Sequence, residues 1–555
     1  MTGTVKVHCL NTDEQKEIPI GTSLVDLIGE FAIKSPYLIT NARVNNKTES
    51  LTYRVYRPKN VEFVDLTDSS AMRTYVRSLC FILAKAVDDI MPHAKTYIEH
   101  AVSRGYYFQI ESDLPVGKQE LDAVLKRMKE IVEADIPFEQ VEEETEKVVQ
   151  LFRKLGLDDK AQLLETSDLL YARYSRLDGY IDYFYGSLTP TTGYITLFDI
   201  QPHNGGFLLR VPNRHNPVEL EPEVKQEKLL NVYREHLNFL KISRLDNVGD
   251  LNRAIREDRV YEVIQVAEAY QSMQITDIAK VISDKSKDGV RIVFISGPSS
   301  SGKTTFRKRL EVQLMVNLLK PVGISLDDYF VDRDKTPLDE NGEKDYESLY
   351  ALDLELFEDH MLKLMKGETV ELPSYNFVTG KREYRGNFLK MDDNSILIVE
   401  GIHGLNPELT EHIPEEMKFK IYVSALTTIS LDDHNWIPAS DNRLIRRIVR
   451  DHTYRGYSAQ QTISRWDSVR RGEDKWIFPF QENADVMFNS AMIYELAAIR
   501  RHAEPVLMQV PRTVPEYSEA YRLLKFLGYF NYITDRELPP TSLLREFLGG
   551  SSFRY

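Results

Sequence analysis

The stretch RIVFISGPSSSGKTTF at residues 291–306 constrains the fold of this chain most, because it combines a strand, a glycine-rich loop and a helix start. Gly297, Gly302, Lys303 and Thr304 fit the pattern G-x-x-x-x-G-K-[ST]. In that pattern, backbone N–H groups surround a phosphate, the lysine neutralises it and the hydroxyl binds Mg²⁺. The apolar run before the loop predicts a buried strand, and a helix beginning near Thr304 would direct its positive end at the phosphates. The sequence therefore predicts a site for a nucleoside triphosphate.

The loop also predicts which residues contact ATP and Mg²⁺. Glycine is needed where the backbone turns tightly and approaches a phosphate without a Cβ in between. The alternative is a Gly/Ser-rich surface turn that binds nothing. We expect the nucleotide to be bound by Gly297, Ser299, Ser300, Ser301, Gly302, Lys303, Thr304 and Thr305.

Charge and cysteine content argue against several classes of protein. The 555 residues include 70 Lys and Arg against 85 Asp and Glu, and this net charge of −15 disfavours nonspecific binding of nucleic acid through the whole surface. Cys9 and Cys80 lack the spacing of a disulfide framework or a zinc site. There is no signal-peptide pattern, and no apolar run approaches the roughly 18 residues of a membrane helix. We expect a soluble, cytoplasmic protein without membrane contact, and an oligomer is compatible with the sequence.

Residues 1–63 alternate in short strand-like pieces, VKVHCL, YLITNARVN, LTYRVYRP and VEFVDL, with the helical stretch SLVDLIGEFAI between the first two. This order resembles the ubiquitin-like TGS domain at the front of threonyl-tRNA synthetases. The resemblance implies an α+β, β-grasp domain that binds or regulates.

Residues 64–215 continue that resemblance. RSLCFILAKAVDDIMPHAKTYIEHAVSRGYYFQIE and DYFYGSLTPTTG look like the editing domain of threonyl- and alanyl-tRNA synthetases. That family edits with a His-x-x-x-His and Cys-x-x-x-His cluster, whose first pair falls here on Arg77 and Phe81 and whose second falls on Phe184 and Leu188. Phe and Leu neither bind a metal nor carry a proton. We therefore expect an α+β, editing-like fold without editing chemistry, with contact to RNA as a lesser option.

The rest of the chain divides into three parts. Residues 216–288 have helical periodicity and end in the polar stretch SDKSKDG, which we expect to be a linker. Residues 289–510 form the predicted nucleotide-binding domain, and residues 511–555 form a helical tail. The helix in PPTSLLREFLGG should stop at Gly549-Gly550. We expect the last five residues to be frayed; the alternative is a flap that carries Arg554 and Tyr555 to another site.

Carboxylates follow two further predicted strands. ISLDDYF places Asp327 and Asp328 after one strand, and SILIVEGIHGL ends another at Glu400. Ligands of open α/β sheets bind at the carboxyl ends of the strands, so these groups should lie beside the triphosphate. There they can accept a proton from an attacking hydroxyl or hold hydrated Mg²⁺. The alternatives are a helix N-cap for the Asp pair and a surface position for Glu400.

Arginines accumulate in RLIRRIVRDHTYRG. Arg443, Arg447 and Arg450 recur at helical spacing, so their guanidinium groups can share one face. Such a face can stabilise charge on a transferred phosphoryl group. The alternative is a basic helix paired with acidic surface groups.

The order of motifs resembles the uridine kinase and phosphoribulokinase family: GPSSSGKTT, ISLDDYF, YESLYALD, LPSYNFVTGKR, ILIVEGIHGL, RLIRRIVRDHTYRG and FPFQENADVMF. The resemblance covers residues 290–495 and implies an α/β P-loop kinase domain, a parallel sheet flanked by helices, with an arginine-bearing lid. It implies Asp327 as general base, with Lys303, Arg447 and Arg450 as the other catalytic residues. It implies Thr304 and Glu400 at the metal. For the acceptor it implies the substrate-binding residues Glu347, Tyr375, Arg455, Arg465 and Trp466.

Departures from the family pattern bear on the acceptor. Gly380 stands where uridine kinases have a base-contacting His, the lid sequence reads Arg455-Gly456-Tyr457, and a Gln-Tyr pair is replaced by Arg465-Trp466. Losing hydrogen-bonding groups weakens selection for uracil. Trp466 and Tyr375 either stack on another base or belong to the core.

The sequence thus favours an ATP- and Mg²⁺-dependent nucleoside kinase that phosphorylates a ribose-containing acceptor at its 5′-hydroxyl. One alternative is a sugar-phosphate kinase of the phosphoribulokinase type. The other is an ATP-switched RNA-binding or regulatory protein.

Overall fold

The computed structural model describes residues 3–340 and 342–554. Its first region is a mixed sheet in the order β2-β1-β7-β4-β5 with one helix, and alternate residues of β1 are buried, as the sequence pattern predicts. LTYRVYRP was expected to be a strand, but only Arg54–Val55 pairs, with Thr22–Ser23. The elements are β1 (Thr4–Cys9), β2 (Glu14–Pro19), β3 (Thr22–Ser23), α1 (Leu24–Glu30), β4 (Ile39–Val44), β5 (Lys47–Ser50), β6 (Arg54–Val55) and β7 (Lys59–Asp65).

The second region packs a long buried helix and three shorter ones against two antiparallel sheets, β10-β11-β12 and β13-β14-β9-β8. Buried apolar side chains occupy most of the central turns of α2, which makes this helix the core of the region. The elements are α2 (Ser69–Ile90), β8 (Lys95–Val102), β9 (Gly105–Glu111), α3 (Lys118–Glu133), β10 (Glu139–Glu144), α4 (Thr145–Leu155), α5 (Asp158–Glu165), β11 (Tyr171–Leu177), β12 (Tyr180–Asp182), β13 (Asp199–His203) and β14 (Gly206–Arg210).

Three helices follow: α6 (Glu227–Ser243), α7 (Val248–Arg256) and α8 (Val260–Lys287). The prediction that SDKSKDG is a linker is mostly wrong, because most of this stretch belongs to α8, which continues to Lys287. Only a short turn remains before the next strand. Within this stretch, Lys287 and Asp284 are solvated helix residues that form an ion pair at i,i+3 spacing. Apolar residues of α4, α5, α7 and α8 share one hydrophobic cluster with the sheet that follows.

That sheet has five parallel strands in the order β16-β19-β15-β20-β21. Along β15, Val293 and Ile295 face one hydrophobic cluster, and Ile292 and Phe294 face another. Both faces are therefore covered, which explains the unbroken apolar run in the sequence. The elements are β15 (Ile292–Ser296), α9 (Lys303–Val316), β16 (Lys320–Ser325), α10 (Leu354–Met365), β17 (Val370–Asn376), β18 (Lys381–Leu389), β19 (Ser395–Glu400), β20 (Lys418–Ser424), α11 (Ala439–Arg455), α12 (Ala459–Ser464), α13 (Trp466–Trp476), β21 (Val486–Asn489) and α14 (Glu495–Leu507).

The chain closes with α15 (Tyr517–Leu527) and α16 (Arg545–Leu548), and α16 ends at Gly549 as predicted. The last residues are not frayed throughout, because the backbone N–H of Ser552 donates to the carbonyl oxygen of Pro540 at 2.9 Å. Tyr555 lies outside the described residues. Within the two described ranges, no helix has both the length and the apolar character needed to cross a bilayer.

Candidate active site

The candidate site lies at the carboxyl edge of the parallel sheet. Ser325 at the end of β16 pairs in register with Glu400 at the end of β19, and Glu400 pairs with Ile295 of β15. The loop after β15, the carboxylate of β19 and the Asp pair that follows β16 are therefore neighbours, as the sequence predicts.

The loop between β15 and α9 forms a cradle of backbone groups. Gly297, Ser300 and Gly302 have positive φ angles of 157°, 58° and 83°. A Cβ at Gly297 would overlap the backbone carbonyl of Val423, so glycine is required there. The hydroxyls of Ser300 and Ser301 are buried without a hydrogen-bond partner in the described part of the chain. These features fit a loop shaped to receive phosphate oxygens.

Lys303 and the metal-site candidates meet at this loop. The Lys303 ammonium donates to the carbonyl oxygens of Gly297 and Pro298, at 2.8 and 3.0 Å. The Thr304 hydroxyl donates to Glu400 Oε1 at 2.7 Å, so the two predicted metal-site residues are in direct contact. Glu400 Oε2 accepts from Arg307 Nε at 3.0 Å, which orients the carboxylate. A hydroxyl and a carboxylate are oxygen ligands of the kind Mg²⁺ prefers, so these residues fit the ion.

Two further acids line the cleft. Asp327 is accessible to water but is surrounded by protein groups. Desolvation, followed by the negative charge of Glu400, raises the pKa of Asp327, and the positive charge of Lys303 partly offsets this rise. Burial raises the pKa of Glu347 to about 7, although the charge of Arg447 lowers it. Burial also lowers the pKa of Lys303. Asp327, the strongest candidate base, and Lys303 are therefore close enough to shift each other's pKa.

Arg443 and Arg447 of α11 both contact Ser299 of the loop, on the face that their spacing predicts. Arg443 donates through Nη2 to Glu473 Oε2 at 2.8 Å, and Arg447 Nη1 donates to Ser299 Oγ at 2.9 Å. Arg450 Nε is buried without a hydrogen-bond partner in the described part of the chain, although it lies 3.6 Å from Asp451 Oδ1, and burial lowers the pKa of this arginine to about 10. A buried guanidinium group with unused donor capacity fits a site that receives an anion.

Two acids that no sequence motif marks support the loop. Glu473 pairs with Arg443 and accepts from the backbone N–H of Ser299 at 3.1 Å. Glu495 pairs with the fully buried Arg446, which also donates to the carbonyl of Ser300. Both glutamates come from helices far along the chain, so local spacing carried no signal for them.

Two positions that the family resemblance places at the acceptor, Tyr375 and Gly380, have protein groups packed against them. Tyr375 is buried beside Phe330 and Phe377, with ring centroids 5.5 and 5.1 Å away. Arg333 occupies the space above Gly380, where a Cβ would lie 2.7 Å from Arg333 Nε. The backbone N–H of Arg333 donates to the Gly380 carbonyl at 2.8 Å. A cation therefore lies where the family pattern has a base-contacting side chain.

The remaining predicted substrate residues lie at the end of α11 and at the start of α13. Arg455 pairs with Asp451 at 3.2 Å, at the end of α11. The Arg465 guanidinium lies 5.2 Å from the ring centroid of Tyr457. Trp466 packs into the hydrophobic core beneath Arg443, which agrees with the core alternative for this residue. Among the described contacts, none joins Arg465 or Trp466 to Asp327 or Glu347.

The sheet, the loop and the carboxylates define a P-loop kinase fold. Residues 292–496 match the Phosphoribulokinase / Uridine kinase family, so the C-terminal region has the P-loop domain of that family. P-loop kinases of this family use ATP with Mg²⁺.

Similar proteins are found for both halves of the chain. A threonine–tRNA ligase of Syntrophomonas wolfei is 27% identical over 203 residues, which are 36% of this chain and 31% of the ligase. The chain thus spans about a third of the length of that relative. A uridine kinase of Staphylococcus aureus is 29% identical over 197 residues, 35% of this chain and 86% of the kinase. The solved structure of a possible uridine kinase from Bacillus stearothermophilus is 19% identical, covers 36% of this chain and 89% of its own, and has a TM-score of 0.24.

Proposed function

We propose that this protein is an ATP- and Mg²⁺-dependent kinase that phosphorylates a hydroxyl of a small ribose-containing acceptor, the favoured group being the 5′-hydroxyl of a nucleoside. The observation that carries the proposal is the cleft that holds Asp327, Lys303 and Glu347 beside the phosphate loop. A base, a phosphate-binding cation and a carboxylate for sugar hydroxyls are the groups that this transfer needs.

Each residue has a distinct task in the proposed reaction. Asp327 accepts the proton of the acceptor hydroxyl, and its raised pKa makes it a stronger base than an ordinary aspartate. The hydroxyl oxygen then bonds to the γ-phosphorus of ATP as the bond to the β-phosphate oxygen breaks, which gives the phosphorylated acceptor and ADP. Lys303 and Arg447 hold the negative charge of the phosphoryl oxygens. Thr304 and Glu400 would hold Mg²⁺, which when bound would neutralise negative charge on the phosphates.

An acceptor that already carries a phosphate is the second candidate. Arg333 brings a guanidinium group beside Tyr375 and over Gly380, and it also donates to the carbonyl of Phe377. Guanidinium groups bind phosphate through paired N–H donors. This observation favours a sugar phosphate, as in kinases of the phosphoribulokinase type, over a neutral pyrimidine.

For the N-terminal half, we propose an editing-like region in which packing has replaced catalysis, preceded by a β-grasp domain. The Phe81 and Phe184 ring centroids are 5.2 Å apart, and Arg77 Nε donates to the Ser187 carbonyl at 3.0 Å. His434 of the kinase region stacks on Phe184 at 6.0 Å. These contacts support a role in holding the kinase region. Salt-sensitive tRNA retention in filter binding would instead favour the RNA-binding alternative.

The proposal is tested by measuring ADP release with ATP and Mg²⁺ across a panel of nucleosides, ribulose 5-phosphate and no acceptor. An Asp327→Asn protein serves as the control, because it keeps the size of the side chain and removes the base. If a nucleoside stimulates ADP release by the wild type but not by Asp327→Asn, that nucleoside is the acceptor. Stimulation by ribulose 5-phosphate alone selects the second candidate. No stimulation by any acceptor, with ATP still bound, refutes both.

A further inference from the structure

The C-terminal segment at residues 538–552 lies against the phosphate loop. The side chain of Leu543 fills the space beside Gly302, where a Cβ would collide with it. The ring of Phe547 lies 4.9 Å from the guanidinium carbon of Arg446, the arginine that also donates to the loop carbonyl of Ser300. Leu543 and Phe547 are fully buried, so this segment is part of the support of the loop.

One side chain of the segment reaches the first turn of α9. Glu546 Oε2 accepts from the backbone N–H of Thr305 at 3.1 Å and from its hydroxyl at 2.8 Å. Thr305 follows Lys303 and Thr304, so its N–H is one of the donors at the positive end of the helix that a nucleotide phosphate needs. The negative charge of Glu546 also acts on Lys303 and Arg450, the cations on either side of the cradle.

From these contacts we propose that Glu546 is an internal competitor of the nucleotide: its carboxylate occupies the phosphate position at Thr305, and the segment at residues 538–552 inhibits the kinase until nucleotide displaces that carboxylate. The inference rests on the nucleotide site proposed above. A carboxylate and a phosphate cannot accept from the same N–H at the same place, and their charges repel. Nucleotide binding therefore requires Glu546 to leave Thr305.

The segment has anchors that do not involve Glu546. The Arg545 guanidinium donates to the carbonyl oxygen of Asp535, outside the segment, at 2.6 Å, and to that of Leu538 at 2.7 Å. With the buried Leu543 and Phe547, these bonds hold α16 in place when the carboxylate is neutralised. A Glu546→Gln protein should therefore keep its fold and lose only the charge at Thr305.

The test is titration of the full-length protein with ADP, followed by calorimetry, for the wild type, Glu546→Gln and Glu537→Gln. Glu537 lies in the turn before the segment, and Glu537→Gln makes the same charge change there. We expect ADP to bind roughly tenfold more tightly to Glu546→Gln than to the wild type, because a charge-assisted competitor has been removed. The affinity of Glu537→Gln for ADP should equal that of the wild type. Equal or weaker binding by Glu546→Gln overturns the proposal.

Amide hydrogen exchange gives an independent readout. ADP should increase exchange at residues 543–549 of the wild type, because the contact with Thr305 is broken. A segment that merely completes the nucleotide site would become more protected, and that result overturns the proposal. Tighter ADP binding by Glu546→Gln in a protein without kinase activity would refute the proposed reaction, whereas the competition between Glu546 and nucleotide would stand. Absence of ADP binding in all three proteins would overturn both.

Discussion

Replacing Lys160 by methionine tests the link between the N-terminal half and the kinase region. The Lys160 ammonium lies 2.8 Å from Asp432 Oδ1 and 3.2 Å from Asp182 Oδ1. Its side chain is 1% exposed, and both aspartates are fully buried. Asp182 belongs to β12 and Asp432 to the loop after β20, so one cation joins two regions that are far apart in sequence.

The magnitude follows from the burial of the partners. Removing one partner of a buried ion pair costs about 3–5 kcal/mol, because the remaining charge loses its compensation. The methionine returns about 1–2 kcal/mol by filling the space with apolar surface. The net loss of about 2.5 kcal/mol should lower Tm by roughly 5–10 °C for a cooperative unit of about 200 residues.

The pH dependence of this effect has a definite sign. Burial alone would raise the pKa of Asp182, but the charges of His434 and Lys160 outweigh it, and the pKa is lowered. Ionised Asp182 therefore adds stability above the ordinary pKa of aspartate, and this stability is lost as pH falls through the lowered value. Asp432 does not share this behaviour, because burial raises its pKa. The difference in Tm between wild type and Lys160→Met should accordingly be larger at pH 7 than in strong acid.

The assay is thermal denaturation followed by circular dichroism, with Lys154→Met as the matched control. Lys154 is an exposed residue of α4, so the same replacement there should shift Tm by less than about 2 °C. If Lys160→Met melts within 2 °C of the wild type at pH 7, the buried network does not hold the two regions together and the reasoning is refuted.

Three further predictions concern the active site. Asp327→Asn should lower kcat by about 10²–10⁴-fold with unchanged ATP affinity in equilibrium binding; an unchanged kcat would exclude Asp327 as the base. Because the pKa of Glu347 is about 7, protonation below that pH should reduce kcat/KM for the acceptor but not the KM for ATP. A pH profile that Glu347→Gln leaves unaltered would contradict this. Glu473→Gln, which weakens the pair with Arg443, should cost about 3 kcal/mol in denaturation and raise the Kd for ATP, and an unchanged Kd would remove Glu473 from the support of the loop.

The sequence by itself determined the features of this protein that follow from local spacing and from strand order. The phosphate loop needs a strand, glycines and a helix start in succession, so residues 291–306 predict strand, loop and helix together. The contact between Thr304 and Glu400 was also predictable, because carboxyl ends of parallel strands share an edge. The face formed by Arg443 and Arg447 followed from helical spacing alone.

Only the tertiary structure decided the contacts between residues with no fixed spacing. Glu473 and Glu546 reach the loop from α13 and α16, and no local pattern distinguishes them from the chain's other glutamates. The sequence also favoured a frayed end, because short polar and glycine-containing stretches are usually solvated. The backbone N–H of Ser552 instead donates to the carbonyl oxygen of Pro540, and just before this end the buried Leu543 and Phe547 pack against Gly302 of the loop and Arg446 of α11. Packing of distant apolar side chains, which periodicity does not encode, therefore brings the C-terminal carboxylate to the nucleotide site.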